Sequence, residues 1–112
     1  MHELSLMRSM IDLLEDESRS AGFDRVRLVV LEIGELASVE AEAMRFSFDA
    51  ATEGTLAEGA RLVIERPPGR GWCARCGAEV PIAERHDLCP VCGSLCRMVS
   101  GDQLRIREIE VE

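Results

Sequence analysis

The sequence predicts an α+β fold: a small mixed sheet of three strands with two helices, plus an inserted zinc-ribbon module with four cysteine ligands. Three observations carry this expectation. Apolar residues recur at helical spacing in two stretches, and three others are rich in β-branched residues. Two Cys-x2-Cys knuckles lie twelve residues apart in the second half of the chain.

Taken in order, the chain opens Met1-His2-Glu3. A terminal amine, the following amide nitrogen and a histidine ring at position 2 can close a five-membered and a six-membered chelate ring on one ion. Nitrogens in one plane suit a square-planar ion, which among divalent metals means nickel or copper. The His2 side chain hinders removal of the initiator methionine, which would keep the amine on Met1. Taken alone, the tripeptide also reads as a frayed end.

Residues 4–20 follow as an amphipathic helix, with Leu4, Met7, Ile11 and Leu14 on one face and Met10 widening the stripe. Glu3 favours the positive end of the helix dipole, and Gly22 is a stop signal. At this spacing Met7 and Met10 read as core residues rather than soft copper ligands. Residues 25–36 form the first strand, apolar on both faces and therefore expected inside the sheet, with Gly34 as a bulge or bend. Ser38 is expected to cap a second helix over 39–53, with Ala41, Met44, Phe48 and Ala51 facing inward and Gly54 ending it. Residues 61–66 give the next strand, and Pro67-Pro68-Gly69 marks a boundary. Residues 103–112 form the last strand. Its apolar phase shifts after Ile106, which predicts a bulge near Arg107-Glu108.

A terminal strand beyond the cysteines most simply returns to the first sheet. Residues 1–66 and 103–112 are then expected to form one discontinuous domain, with 69–102 inserted into it. Within the insert, Cys73, Cys76, Cys89 and Cys92 have the spacing of a tetrahedral metal site, and the glycine after each knuckle permits a tight turn. Four thiolates leave no open coordination position, which points to structural zinc. The same knuckles resemble the iron site of rubredoxins, an electron-transfer alternative. The metal should supply folding energy on the order of 10 kcal/mol to so small a module. Cys96 is the odd thiol, a bystander or a spare ligand. His86 reads as a surface or second-sphere histidine, or as a switchable group beside the metal. Trp72 is expected to pack at the module's root.

Composition bounds the function. The 112 residues carry a net charge of −8, which disfavours nucleic acid, and no apolar run is long enough for a membrane span. The amino terminus lacks signal-peptide order, so a cytoplasmic location is expected, where clustered cysteines bind metals. No nucleophile–base pair, phosphate loop or open metal triad is present, so no enzyme activity is expected.

The opening Met-His-Glu-Leu-Ser, the α-β-α-β order, the two knuckles and the terminal Ile109-Glu110-Val111-Glu112 together resemble the HypA/HybF family of nickel-insertion accessory proteins. The resemblance spans the whole chain. It implies a nickel site at Met1, His2 and Glu3, with His2 essential and backbone donors from the other two, and structural zinc on Cys73, Cys76, Cys89 and Cys92. It also implies Ni(II) delivery to the large subunit of [NiFe]-hydrogenase, with urease maturation in some members, and cooperation with a HypB-type GTPase. A monomer or homodimer is expected. The competing expectation is a zinc-ribbon interaction adaptor whose terminal tripeptide is inert.

Overall fold

A computed structural model describes residues 2–112, with the elements α1 (His2–Ala21), β1 (Val26–Ile33), α2 (Ala41–Thr52), β2 (Arg61–Glu65), β3 (Arg70–Cys73), β4 (Ala78–Pro81), β5 (Arg97–Ser100) and β6 (Leu104–Val111). Two three-stranded sheets result, one ordered β2-β1-β6 and the other β4-β3-β5. The chain groups into two compact units. The first takes in the chain up to Leu31, Val39–Ile64 and Ile106–Glu112; the second takes in Glu32–Ser38 and Glu65–Arg105.

In the first unit, α1 buries Met7, Ile11 and Leu14, the stripe that its periodicity predicts. The helix begins two residues before the expected start and ends at Gly22, whose φ of 79° lets its amide bond Ser18 O at 2.9 Å. Helix α2 packs against α1, burying Met44 and Phe48 together with Ser47 and Thr52. The Thr52 hydroxyl donates to Phe48 O at 2.8 Å, which satisfies the one buried threonine of this helix.

Strand β1 lies between β2 and β6, as its apolar faces require: Val26, Val29, Val30, Leu31 and Ile33 are all buried. β2 follows β1 through α2 and lies beside it in the sheet. β6 returns antiparallel to β1. Arg25 and Glu112 exchange backbone hydrogen bonds of 3.1 and 3.0 Å at one end, and Gly34 N donates to Gln103 O at 2.8 Å at the other. The exposure pattern along β6 breaks at Arg107-Glu108, two consecutive exposed residues.

Three local expectations are corrected. The first strand stops at Ile33, because Gly34, Glu35 and Leu36 turn away to bond Gln103, Pro67 and Gly101 carbonyls. Ser38 does not cap the second helix, which starts at Ala41 with Glu40 as its uncapped N-cap residue. Trp72 is 37% exposed on β3 instead of packed at a root, since its register partners on either side are the exposed Glu79 and Arg97.

Candidate metal centre

The second unit is built around its cysteines. β3 and β4 form a hairpin whose register ends on the pair Cys73 and Ala78, so the first knuckle, Cys73 to Gly77, is the hairpin turn itself. Gly77, at φ 66°, bonds Cys73 O through its amide at 2.8 Å. The second knuckle repeats this geometry. Gly93, at φ 75°, bonds Cys89 O at 2.9 Å, and the isolated bridge between Leu88 and Leu95 closes the turn behind it. An L side chain at either glycine would strain the backbone, which is the physical reason for Gly after each pair.

Each knuckle aims backbone amides at its first sulfur. Cys76 N donates to Cys73 Sγ at 3.3 Å, and Val91 N and Cys92 N donate to Cys89 Sγ at 3.4 and 3.5 Å. At Cys89 such bonds favour the thiolate, the form that binds metal. The sulfurs of all four cysteines lie within 4.8 Å of one another, with Cys73 to Cys92 at 3.5 Å and Cys76 to Cys89 at 3.9 Å. A tetrahedral ion bonded at about 2.3 Å to each sulfur separates its ligands by about 3.8 Å, so the cluster fits a metal ion. All five cysteines are free of disulfides.

Left to themselves, Cys76, Cys89 and Cys92 hold their protons unequally. The Ser94 hydroxyl and amide hold Cys92 down to about 6, while Cys92 and Cys73 push Cys76 up to about 12. Bonds from the Cys92 and Val91 amides draw Cys89 below its ordinary value, whereas burial pushes Cys96 up. A cation held by all four sulfurs displaces the remaining protons, so its binding weakens as pH falls.

The support beneath the cluster is small: Leu36, Val80 and Ile82 pack with buried Cys73, Cys89 and Cys96. Asp87 is the positioning residue that the motif does not reveal. Its carboxylate accepts from the Ala83 and Leu88 amides at 2.9 and 2.8 Å, bonds that hold it below the usual carboxylate range. Its carbonyl accepts from Cys96 N at 3.1 Å, so one residue ties both flanks of the second knuckle. An aspartate two residues before a Cys-Pro pair is a turn signal, and that was the available clue. His86 is exposed in the preceding turn, and Cys96 is buried beside the cluster.

At the other end of the chain, His2 is the first residue of α1 and is exposed; Met1 lies outside the described residues. Glu3 is half-buried and lines an apolar groove of about 200 Å³ with Leu4, Ala43, Phe46, Ser47 and Ala50. The structure brings the four cysteines together and places His2 and Glu3 consecutively on the first turn of a packed helix. Among the described residues no helix is long and apolar enough to cross a membrane.

A sequence family described as hydrogenase/urease nickel incorporation, metallochaperone, HypA matches residues 1–111. Hydrogenase maturation factor HypA from Azotobacter chroococcum mcd 1 is 51% identical over 113 residues, covering all of both chains. Among solved structures, a solution structure of a HypA protein shares the fold with a TM-score of 0.74 at 24% identity, over 100% of this chain and 97% of that one. The solution structure of the Ni metallochaperone HypA from Helicobacter pylori has a TM-score of 0.69 at 22% identity, over 97% of this chain and 96% of that one.

Proposed function

Because this chain belongs to the HypA family, we propose that it binds Ni(II) at its amino terminus and delivers it to the large subunit of [NiFe]-hydrogenase during maturation. The family description names urease beside hydrogenase, and urease is the second recipient in this reading. A HypB-type GTPase is the proposed partner, the proposed setting is the cytoplasm, and the proposed role is carriage of the ion without catalysis.

The observation that supports the nickel site best is where α1 starts. The first amides of a helix have no intrahelical acceptor, and His2 and Glu3 occupy that position. A metal can therefore displace the amide proton of His2 without breaking a helical hydrogen bond. The anionic nitrogen that results lies at the positive end of the helix dipole, which favours it. The Met1 amine, the His2 amide and imidazole, and a backbone donor from Glu3 then make a planar, accessible and exchangeable site. Binding through a deprotonated amide releases protons, so nickel affinity falls as the solution is acidified.

The four cysteines suit zinc in this proposal. The site is closed, built on knuckles with little apolar support, and has the donor set of a structural centre. One feature favours an adaptor role instead: Leu88, Val91 and Leu95 are 57, 78 and 67% exposed around the second knuckle, a surface fit for a protein partner.

Nickel titration of the untagged protein separates the two readings. The carrier reading expects one Ni(II) per chain, lost both in His2→Ala and in a variant extended ahead of Met1, while the four-cysteine metal is retained. Survival of nickel binding in both variants would remove the terminal site and leave the adaptor.

A further inference from the structure

Phe46 on α2 is 78% exposed, whereas Met44 and Phe48 of the same helix are at 0 and 3%. Ala43 and Ala50, three residues before it and four after, share its helix face. Together with Ser47 they make the α2 wall of the apolar groove that Glu3 and Leu4 of α1 close from the other side. Its volume of about 200 Å³ is below the roughly 300–1,000 Å³ of a small-molecule site, a size for side chains rather than for a cofactor. Carboxylates ring it. Glu42, Asp49 and Glu53 stand four residues before Phe46, three after and seven after, again on its face, and Glu3 adds one from α1. Among the described residues none of the four is held in an ion pair. The cation of α2, Arg45, is bonded to Leu62 O at 3.4 Å, which leaves Arg8, one turn beyond Leu4 on α1, as the opposing charge.

From this arrangement we propose that the groove docks a basic segment of the partner that exchanges metal with the amino terminus. An apolar side chain of that segment enters beside Phe46, and its Lys or Arg residues meet the carboxylates. The docking stands on the surface itself; its use in metal exchange rests on the nickel reading. The apolar anchor supplies affinity by covering Phe46 and Leu4. The basic side chains pair with charges that are unpaired in the free chain, and one can lie on the Phe46 ring. An acidic segment is repelled by the same carboxylates, so the surface sorts partners by the sign of their charge. Glu3 both lines the groove and follows His2, so a seated partner lies against the first turn of α1, where the proposed nickel donors are.

The test titrates a short peptide of leucines and lysines at helical spacing into the isotope-labelled full chain, prepared with zinc. Saturable amide shifts centred on Leu4 and residues 43–50 are expected. Phe46→Ser alters an exposed side chain outside the core and should weaken binding about fivefold or more. Glu42→Gln combined with Asp49→Asn should weaken it several-fold and flatten its salt dependence. Peptides with serine in place of leucine, or glutamate in place of lysine, should not bind. An affinity unchanged by Phe46→Ser overturns the docking site, since the peptide would then be held by charge alone. Shifts spread over the acidic surface without a centre on α2 overturn it for the same reason. Shifts centred on Leu88, Val91 and Leu95 overturn it too and move the partner to the second knuckle. Nickel titration keeps the two readings apart. Peptide binding by His2→Ala that matches the parent upholds the surface, even where the titration has already removed the terminal nickel site.

Discussion

At the scale of single residues, the tightest constraint lies where three glycine backbones converge. A Cβ on Gly34 would stand 2.0 Å from Gly101 O, and one on Gly101, at φ 110°, would stand 2.6 Å from Gly69 Cα. These are backbone atoms and cannot be turned aside as a flexible side chain can. Gly34→Ala should therefore force the crossing apart and destabilise the metal-loaded protein by about 3 kcal/mol or more, read as a lowered urea midpoint. Gly22→Ala is the control: its φ is 79° but nothing lies near the added carbon, so its cost should be about 1 kcal/mol. Equal midpoints for the two variants would show that the crossing yields. The sequence marked Gly34 as irregular because a glycine interrupts a β-branched run. It could not show why, since the reason is a carbonyl far along the chain. Cys96 has the same history: local spacing left it a bystander or a spare ligand, and only the fold placed it in one buried cluster with Cys73 and Cys89.

At the scale of elements, helix periodicity was readable because burial acts on one face of a helix at a time. Met7, Ile11, Leu14, Met44 and Phe48 are all buried as their spacing requires. The start of α2 was not readable from Ser38. Glu35 and Leu36 donate to Pro67 and Gly101 carbonyls at 2.8 and 2.7 Å, which holds the chain away from helical geometry until Glu40. Glu40 has extended backbone angles, φ −80° and ψ 120°, yet its side chain makes no cap hydrogen bond. A shorter acceptor would reach the second or third amide of the helix. Glu40→Asp should raise stability by about 0.5–1 kcal/mol and lift the melting temperature by a few degrees. An unchanged or lower melting temperature would mean that Glu40 is held by something other than helix geometry. Leu14, at 4% exposure on the packed face of α1, should cost about 2–5 kcal/mol when changed to Ala, measured by denaturant unfolding.

At the scale of the whole molecule, the two units differ in what stabilises them. The first rests on helices and a sheet with an apolar interior that includes Met7, Leu31 and Met44. The second has Ile33, Leu36, Val80 and Ile82 as its buried non-cysteine apolar residues, too little area to fold forty-odd residues by burial alone. A zinc ion held by its four cysteines would be the larger contribution, on the order of 10 kcal/mol for a site of this kind. An insertion between β2 and β6 is an expectation from the sequence, because Pro67-Pro68-Gly69 breaks the strand pattern and a β-branched run resumes after the last cysteine. What no local pattern carries is the place of Glu32–Ser38 in the second unit. Arg66 reaches back to the Ile33 and Gly34 carbonyls at 2.6 and 3.2 Å, and Leu36 enters the core beneath the cysteines. Stripping the metal with a chelator should therefore abolish amide exchange protection across β3, β4 and β5 and in the turn at Gly34 to Ala37. Protection of α1 and α2 should persist. Returning zinc should restore the lost signals, because the ligands remain reduced and present. Intact protection in β3 after the metal is shown to be gone would mean that apolar burial suffices. Loss in α1 at the same midpoint would mean that the chain folds as one cooperative body, with the metal stabilising all of it.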